Sequence, residues 1–213
     1  MDFTFWDILY NLLLAFRWTV GLSLIAFFGG GVVGIALLII RLSQRKFADV
    51  AVSSYVQIFQ GTPLLMQLFL TYFGLAMLGL PASPMVTASF CLTLYASAYL
   101  TEIWRGSVNA VSKDQWEASA SLALNFKEQL RHIIIPQAKR MAIAPTVGFM
   151  VQVIKNTALA SVIGFVEVTR AGQIISNTTY QPFLVYGCVA ILYFLLCFPL
   201  SVWSRHLEKT IRL

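Results

Sequence analysis

Charged residues are scarce in this sequence: they make up 11% of its 213 residues, whereas apolar residues make up 58%. A soluble domain of this length needs more charge to cover its surface. Apolar runs long enough to cross a bilayer recur along the chain, and the mean hydropathy is +0.76. The composition therefore predicts an integral membrane protein built from transmembrane helices.

The signatures of several other classes are also missing. The three cysteines lie inside apolar runs without CxxC spacing, and the two histidines stand alone, so no metal site is expected. The spans hold no paired acidic residues and no Ser/His constellation, which argues against an intramembrane enzyme, and no P-loop pattern occurs. The first apolar run is too long for a cleavable signal peptide. The net charge of +6 is interpreted as cytoplasmic lysine and arginine rather than as a nucleic-acid surface.

Five apolar segments predict five membrane spans, each able to cover roughly 30 Å of hydrocarbon at about 1.5 Å per residue. They are residues 13–40, 52–78, 85–104, 141–166 and 183–204. Three basic residues follow the first span, six lie in the long connection after the third and three follow the fifth, so twelve of the fifteen fall on alternate loops. The positive-inside rule then places the N-terminus outside and the C-terminus in the cytoplasm. Gly30 and Gly34 have the spacing that favours close packing of the first span.

Two spans contain features that are costly in a membrane. Pro63 removes a backbone donor and disfavours helical geometry at Thr62, so the second span is expected to bend or unwind there. Such breaks often form substrate sites in transporters, although a packing kink alone explains the pattern equally well. Lys155 lies near the middle of the fourth span, where a lysine normally faces the bundle interior or a wet cavity. It is interpreted either as a structural lysine with a buried partner or as a group on a substrate pathway.

The connection over residues 105–140 interrupts the apolar pattern with a polar, amphipathic segment. The capping-box spacing occurs twice, at Ser112–Gln115 and Asn125–Glu128, and predicts short helices over about 113–123 and 126–135. Pro136 is expected to end or kink the second of them. An apolar stripe at helical spacing is predicted to pack on the chain's own spans; it consists of Trp116, Ala120, Ala123, Phe126 and Leu130. The opposite, polar stripe consists of Glu117, Ser121, Asn125, Glu128 and His132.

This segment resembles the EAA loop of ABC importer permeases, whose usual form is EAA, three residues, Gly, nine residues, Ile, one residue, Leu and Pro. Here "EASASLA", nine residues and "IIIP" match it at Glu117, Ala118, Ile133 and Pro136 and depart from it at Ser119, Ala123 and Ile135. Three further stretches resemble the permeases that import polar amino acids such as histidine, glutamine, arginine, cystine and opines. They are "QGTPLLMQLFLTYFGL", "AYLTEIWRGSVNAVSKDQWEA" and "IKNTALASVIGFVEVTR". The resemblance covers nearly the whole chain.

The resemblance implies an all-α transmembrane protein with the five-helix type I importer fold, a single permease domain over residues 1–213 in the bacterial inner membrane. It implies a transport subunit without enzymatic activity, paired with a second permease subunit in a homodimer or heterodimer. A cytoplasmic ABC ATPase dimer would carry ATP and Mg²⁺, so no cofactor is expected on this chain. An extracytoplasmic solute-binding protein would deliver a polar amino acid to a midplane site that opens to each side in turn. Membrane lipid is a further expected partner, and nucleic acid is not.

The family's functional residues can be carried over position by position. Substrate contacts are implied at Gly61, Thr62, Gln67, Lys155, Asn156 and Thr157, and ATPase coupling at Glu117, Ala118, Ser119, Ala123, Ile133 and Pro136. Ala123 stands where glycine is usual, so the turn there either does not need positive φ or adopts it with strain. Gln60 and Asn156 stand where Arg and Asp are common, which slightly favours a neutral or acidic amino acid.

Two further expectations complete the interpretation. Glu102 and Arg105 are predicted to form a local i,i+3 ion pair at the membrane surface. A self-sufficient secondary transporter is the alternative function, but such transporters usually have more spans and internal repeats. The polar connection over 105–140 also has no role in that scheme.

Overall fold

The computed structural model describes residues 4–43 and 45–211, and helices dominate these ranges. In chain order they are α1 (Phe5–Leu42), α2 (Lys46–Gly61), α3 (Leu64–Met77), α4 (Pro84–Asn109), α5 (Lys113–Ser121), α6 (Phe126–Glu128), α7 (Ile135–Asn156), α8 (Val168–Thr179) and α9 (Pro182–Ile211). A π-helical turn, Gln129–Ile134, joins α6 to α7, and a 3-10 segment, Thr157–Ile163, continues α7. Each of the five predicted spans falls on a helix or on a helix pair, so the all-helical class is confirmed.

Only some of these helices are long and apolar enough to cross a membrane. Within the described ranges, three continuous helices are long and apolar enough to cross a bilayer: Phe5–Leu42, Phe126–Ile163 and Pro182–Thr210. The bent pair α2 and α3 together makes a fourth candidate. The 26-residue α4 is outside this group, and its apolar sequence is diluted by serine, threonine and tyrosine, several of them buried. The fifth crossing and the orientation of the termini therefore stay predictions.

The pairing of α1 with α4 forms the centre of the bundle. Gly30 and Gly34 of α1 lie against Ala96, Ser97 and Leu100 of α4, so closely that a Cβ at Gly30 would be 2.5 Å from the Ala96 Cβ. This confirms the close packing that the glycine spacing predicts. Around the pair, buried side chains of α1, α3, α4, α7 and the 3-10 segment form the largest apolar cluster in the described ranges.

The expected boundary between the polar connection and the fourth span is absent. Pro136 does not end a helix: the chain stays helical from Phe126 to Ile163. The distortion is a π-helical turn just before the proline, in which the Ile135 N–H bonds the Leu130 carbonyl, five residues back. A proline ring clashes with the carbonyl four residues earlier, and a wider turn relieves that clash. The second helix of the polar connection and the fourth span are therefore one continuous helical rod.

The basic segments after the first and third spans meet at one end of the bundle. Arg41 at the end of α1 pairs with Asp49 of α2 and Glu102 of α4. Leu42 packs in the same cluster as Trp116 and Ile134 of the polar connection. This grouping agrees with the loop assignment, although Arg212, one of the basic residues used for it, lies outside the described residues.

Sequence reasoning missed α8, a short amphipathic helix between the fourth and fifth spans. Its buried residues Val168, Ala171 and Ile175 pack against Ile8 and Leu12 of α1 and against apolar residues of α9. The helix ends at Thr179, and the residue that follows, Tyr180, has a left-handed φ of 57°. The sequence 168–179 has too few apolar residues to register as a membrane span.

Candidate functional site

The first candidate region is the break in the second span. α2 ends at Gly61, Thr62 and Pro63 are extended (φ −117°, ψ 142° and φ −62°, ψ 131°), and α3 begins at Leu64. The two helices meet at a bend of 99°. Proline lacks an N–H and forces the residue before it out of helical geometry, which explains why the break falls here. The predicted bend is confirmed.

Gln67 satisfies the backbone groups that the break leaves open. Its side-chain amide donates to the Phe59 carbonyl (3.1 Å), the Thr62 carbonyl (3.1 Å) and the Thr62 Oγ1 (2.8 Å). The Thr62 hydroxyl donates to the carbonyl of Ile58 at 2.6 Å. Unwound backbone is tolerated at membrane depth only where protein or a cavity supplies such partners. Two of the candidate substrate residues thus hold each other in place, whereas the Gln67 Oε1 is buried without a hydrogen-bond partner.

The second candidate region is the transition from α7 to the 3-10 segment. Thr157 is fully buried, and its hydroxyl donates to the Ile154 carbonyl at 2.7 Å. Asn156 is also buried: its Oδ1 accepts from Gln152 at 3.2 Å, and its Nδ2 has no hydrogen-bond partner. Thr157 therefore has a local structural role, while the Asn156 Nδ2 is buried without a hydrogen-bond partner.

Lys155 points away from these two residues. Its side chain is exposed on the subunit surface, on the same helical face as the exposed Gln152. Of the two settings expected for Lys155, the interior of this single bundle is not the one observed, because Asn156 and Thr157 occupy the inward positions. The other expected setting, a wet cavity, stays a prediction.

The fold brings the two candidate regions to one side of α4. Leu64 and Leu68 of α3 share an apolar cluster with Val153 of α7 and Ala160 of the 3-10 segment. α3 packs directly against the 3-10 segment. The start of α3 and the transition from α7 to the 3-10 segment are almost a hundred positions apart in sequence, yet they form a common wall. This wall is defined by Leu64, Leu68, Val153 and Ala160. Gly61 and Thr62, which come just before α3, are exposed.

The polar connection folds as two helices around a tight turn. Asn125 caps α6 through the predicted capping box: its Oδ1 accepts from the Lys127 and Glu128 amides at 3.1 Å, and Glu128 accepts from the Asn125 amide at 2.8 Å. The box predicted at Ser112 is wrong. Ser112 does precede α5, but its side chain makes no capping bond. The Gln115 side chain instead accepts from Gln137 at 3.2 Å, which ties α5 to α7.

Ala123 adopts a left-handed conformation, which favours glycine, with φ at 57°. Its N–H bonds the Ala120 carbonyl at 2.9 Å and the Leu124 N–H bonds the Ser119 carbonyl at 3.4 Å, the two bonds of a Schellman motif. A left-handed conformation costs an alanine roughly 1–2 kcal/mol. Of the two possibilities for this turn, positive φ with strain is the one observed.

The six coupling candidates divide between two faces. Ser119 is buried and Ile133 half-buried, and Ile133 joins a cluster with Trp116, Leu130, Val108 and Met141 that fixes the connection to α4 and α7. Glu117, Ala118, Ala123 and Pro136 are exposed. The apolar stripe is therefore confirmed only in part: Trp116 stacks on Phe126 at 5.9 Å, but Ala120 and Ala123 face outward and Ser119 takes the inward position. At Ala123 the stripe fails because the turn has ended the helical periodicity, whereas Ala120 lies within α5 and is exposed because the buried side of that helix runs through Ser119.

Residues 26–213 match the family described as binding-protein-dependent transport system inner membrane component. The chain belongs to this family. It is therefore a multi-pass inner-membrane protein and a transport subunit, not an enzyme. The EAA motif is a feature of that family. In this chain the motif begins at Glu117, on α5.

Individual relatives match over most of their length. The probable amino-acid ABC transporter permease protein YckA of Bacillus subtilis (strain 168) is 29% identical over 214 residues, 96% of this chain and 95% of the relative. The probable glutamine ABC transporter permease protein GlnM of the same organism is 33% identical over 187 residues, 88% and 87% of the two chains. A solved structure described as an amino acid ABC transporter with histidines superposes with a TM-score of 0.91 at 30% identity, covering 99% of this chain and 100% of that one.

Two notable groups in this permease were not found from the sequence. Glu167 is fully buried at the start of α8, where it accepts hydrogen bonds from the Arg170 amide (2.9 Å), the Tyr193 hydroxyl (3.0 Å) and the Thr19 hydroxyl (3.3 Å). Glu167 thus joins α1, α8 and α9. The signal in the sequence that could have revealed it is an acidic residue directly before a polar helical stretch, a position typical of a helix N-cap. Leu122 is the other: it lies at the tip of the α5 turn and is 73% exposed.

Proposed function

We propose that this permease is the transmembrane subunit of an ATP-driven ABC importer for polar amino acids. A solute-binding protein delivers the substrate from outside, and a separate cytoplasmic ATPase dimer drives alternating access through a midplane site. The amino-acid cargo is proposed because the relatives carry amino-acid permease names over nearly their full length. No nucleotide-binding pattern occurs in this sequence, so ATP hydrolysis belongs to the partner.

The observation that carries the proposal is the outward face of α5 and its turn. Glu117, Ala118 and Ala123 are exposed beside Leu122, an apolar side chain at the tip of a polar segment. The opposite face is fixed to the spans through Trp116. An exposed apolar residue framed by polar ones, on a rigidly attached element, fits a protein-docking surface. We assign this surface to the ATPase.

The substrate pathway is proposed along the wall that the two candidate regions share. Lys155 and Gln152 are exposed at membrane depth, where a central lysine costs roughly 2.5–3.5 kcal/mol on insertion scales. Contact with water or with a second permease subunit removes most of that cost. The unpaired Gln67 Oε1 and Asn156 Nδ2 add one acceptor and one donor. The proposed substrate-contacting residues are Gly61, Thr62, Gln67, Lys155, Asn156 and Thr157; of these, Thr157 is fully buried in the single subunit, so its contact requires the pathway to open.

Replacement of Glu117 by Lys tests the docking surface. The Glu117→Lys permease is expected to lose co-purification of the ATPase and ATP-driven amino-acid uptake in proteoliposomes, because the substitution reverses the charge on the docking face. Lys209→Glu is the matched control, since it reverses an exposed charge on α9, outside this face. Normal ATPase association and normal uptake by Glu117→Lys would contradict the docking role. Uptake by the wild-type permease without any ATPase would instead support a secondary transporter.

A further inference from the structure

A cluster of charged residues joins three helices at the end of the bundle that carries the polar connection. The Arg41 Nε donates to Asp49 Oδ1 at 2.8 Å, its Nη2 donates to Ser53 Oγ at 2.9 Å, and its Nη1 donates to Glu102 Oε1. Arg105 donates to the other Glu102 oxygen from Nε (2.9 Å) and Nη2 (2.6 Å). The predicted Glu102–Arg105 pair is thus confirmed, but it is one edge of a larger cluster with Arg41 at its centre.

Each nitrogen of the Arg41 guanidinium is committed to a different side chain. Two partners lie on α2 and the third lies on α4, while Arg41 itself belongs to the last turn of α1. The Arg41 side chain is 15% exposed, so water competes little for its donors. A planar guanidinium holds its donors at fixed angles, and charge-assisted bonds of this kind are among the strongest in proteins. The cluster therefore adds directional, charge-assisted bonds to the apolar contacts of Leu37, Val52, Val56 and Ala98 that also join these three helices.

The α4 side of the cluster leads to the docking surface. α4 ends at Asn109, only a few residues before α5 begins at Lys113. Val108 and Val111 pack in one apolar cluster with Ile134 and Ala138, at the start of the rod formed by the polar connection and α7. A displacement of α5 therefore reaches the end of α4 through both the covalent chain and packed side chains.

The α2 side of the cluster leads to the helix break. Beyond Ser53, α2 stays attached to α4: the Tyr55 hydroxyl donates to the Leu94 carbonyl at 3.0 Å, and Gln60 reaches the Ala98 carbonyl at 3.4 Å. The attachment ends at Gly61, where the chain turns by 99° into α3. The break is thus the first point after the cluster at which the chain is free to change direction.

We propose that Arg41 is a positioning residue that makes α1, α2 and α4 one rigid body, so that motion of the docking surface is delivered to the helix break at Gly61–Pro63. This inference rests on the proposed function. Arg41 touches neither substrate nor ATPase in this scheme. Its role is to keep α2 from lagging behind α4 when α5 moves.

The test compares four variants of the permease in complex with its ATPase in nanodiscs and proteoliposomes. Arg41→Gln removes all three bonds, and Asp49→Ala with Ser53→Ala removes only the α2 partners. Arg41→Lys keeps the positive charge but lacks the planar guanidinium that donates to three side chains at once. Arg105→Gln is the matched control, because it removes a cation from Glu102 and leaves the joint between α1, α2 and α4 intact.

Two readouts decide the outcome. Hydrogen exchange of the 46–61 amides is expected to accelerate about tenfold or more in the first three variants, the effect of losing at least one charged hydrogen bond. The number of amino-acid molecules imported per ATP hydrolysed is expected to fall several-fold in the same variants, whereas Arg105→Gln matches the wild type in both readouts. A general folding defect lowers uptake and ATP hydrolysis together and leaves their ratio unchanged.

Failure of this inference and failure of the proposed function give different results. Unchanged exchange over 46–61, an unchanged import ratio, or equal effects of Arg105→Gln and Arg41→Gln would overturn the role of Arg41. Absence of ATP-driven uptake by the wild-type complex would refute the proposed function instead. The exchange measurement does not depend on transport and still decides whether Arg41 holds α2 to α4.

Discussion

The packing of α1 on α4 leads to a quantitative prediction for Gly30→Ala. The added Cβ would lie 2.5 Å from the Ala96 Cβ and 3.1 Å from backbone atoms of Ala96 and Ser97. Backbone atoms cannot rotate away, so the two helices must separate. Overpacking of this kind costs about 1–3 kcal/mol, and the better helix propensity of alanine returns about 1 kcal/mol. We expect a net destabilisation of up to about 2 kcal/mol.

Two other glycines of α1 serve as internal controls. A Cβ at Gly34 would lie 3.2 Å from the Ser97 carbonyl oxygen and 3.3 Å from the Trp104 ring, so Gly34→Ala should cost less than Gly30→Ala. A Cβ at Gly21 meets nothing within 4 Å, and Gly21→Ala should be neutral or stabilising. Thermal unfolding of the purified permease, followed by tryptophan fluorescence, ranks the stabilities of the three variants. Each kcal/mol of stability is expected to shift the unfolding temperature by about 2–4 °C. A Gly30→Ala permease as stable as Gly21→Ala would refute this account of the helix pair.

Two further predictions concern the turn and the helix break. Ala123→Gly is expected to raise the unfolding temperature by an amount equivalent to about 0.5–1 kcal/mol, because relief of roughly 1–2 kcal/mol of left-handed strain exceeds the added entropy of the unfolded chain; a lowered temperature would show that Ala123 is not strained. Gln67→Leu is expected to destabilise the permease by about 1–3 kcal/mol, since the carbonyls of Phe59 and Thr62 lose their donor. Normal stability of Gln67→Leu combined with impaired uptake would instead indicate that Gln67 acts on the substrate alone.

The parts of the fold that the sequence could predict are those determined by one or two neighbouring residues. Pro63 breaks the second span because its ring and missing N–H act locally, whatever packs around it. The Asn125–Glu128 capping box forms because both partners lie within one helical turn. At Ala123 the resemblance to the EAA loop leaves two possible backbone conformations, because the usual glycine is missing. The structure shows the strained one, with positive φ.

Features that depend on distant contacts were not predictable in this way. Pro136 ends a helix in isolation, but here the π-helical turn before it keeps the rod continuous while Ile134 is held in an apolar cluster with α4. At Ser112 the Gln115 side chain binds Gln137, 22 positions away, and so does not return to the Ser112 N–H to complete the capping box. A capping preference is worth only about 1 kcal/mol, so one tertiary hydrogen bond is enough to outweigh it.

Lys155 shows why the sidedness of a membrane helix is the hardest property to infer from sequence. A polar residue in a span is expected to face inward, yet in α7 the inward positions are taken by Asn156 and Thr157, and their neighbour must point elsewhere. In a membrane, the outside of one subunit is either lipid or the inside of an assembly. A lysine and a glutamine on one exposed face are costly against lipid, which is the physical reason for proposing a second permease subunit or a wet cavity beside this face. The exposure of Lys155 thus supports the proposed pairing, whereas the sequence of α7 alone does not reveal on which side the lysine lies.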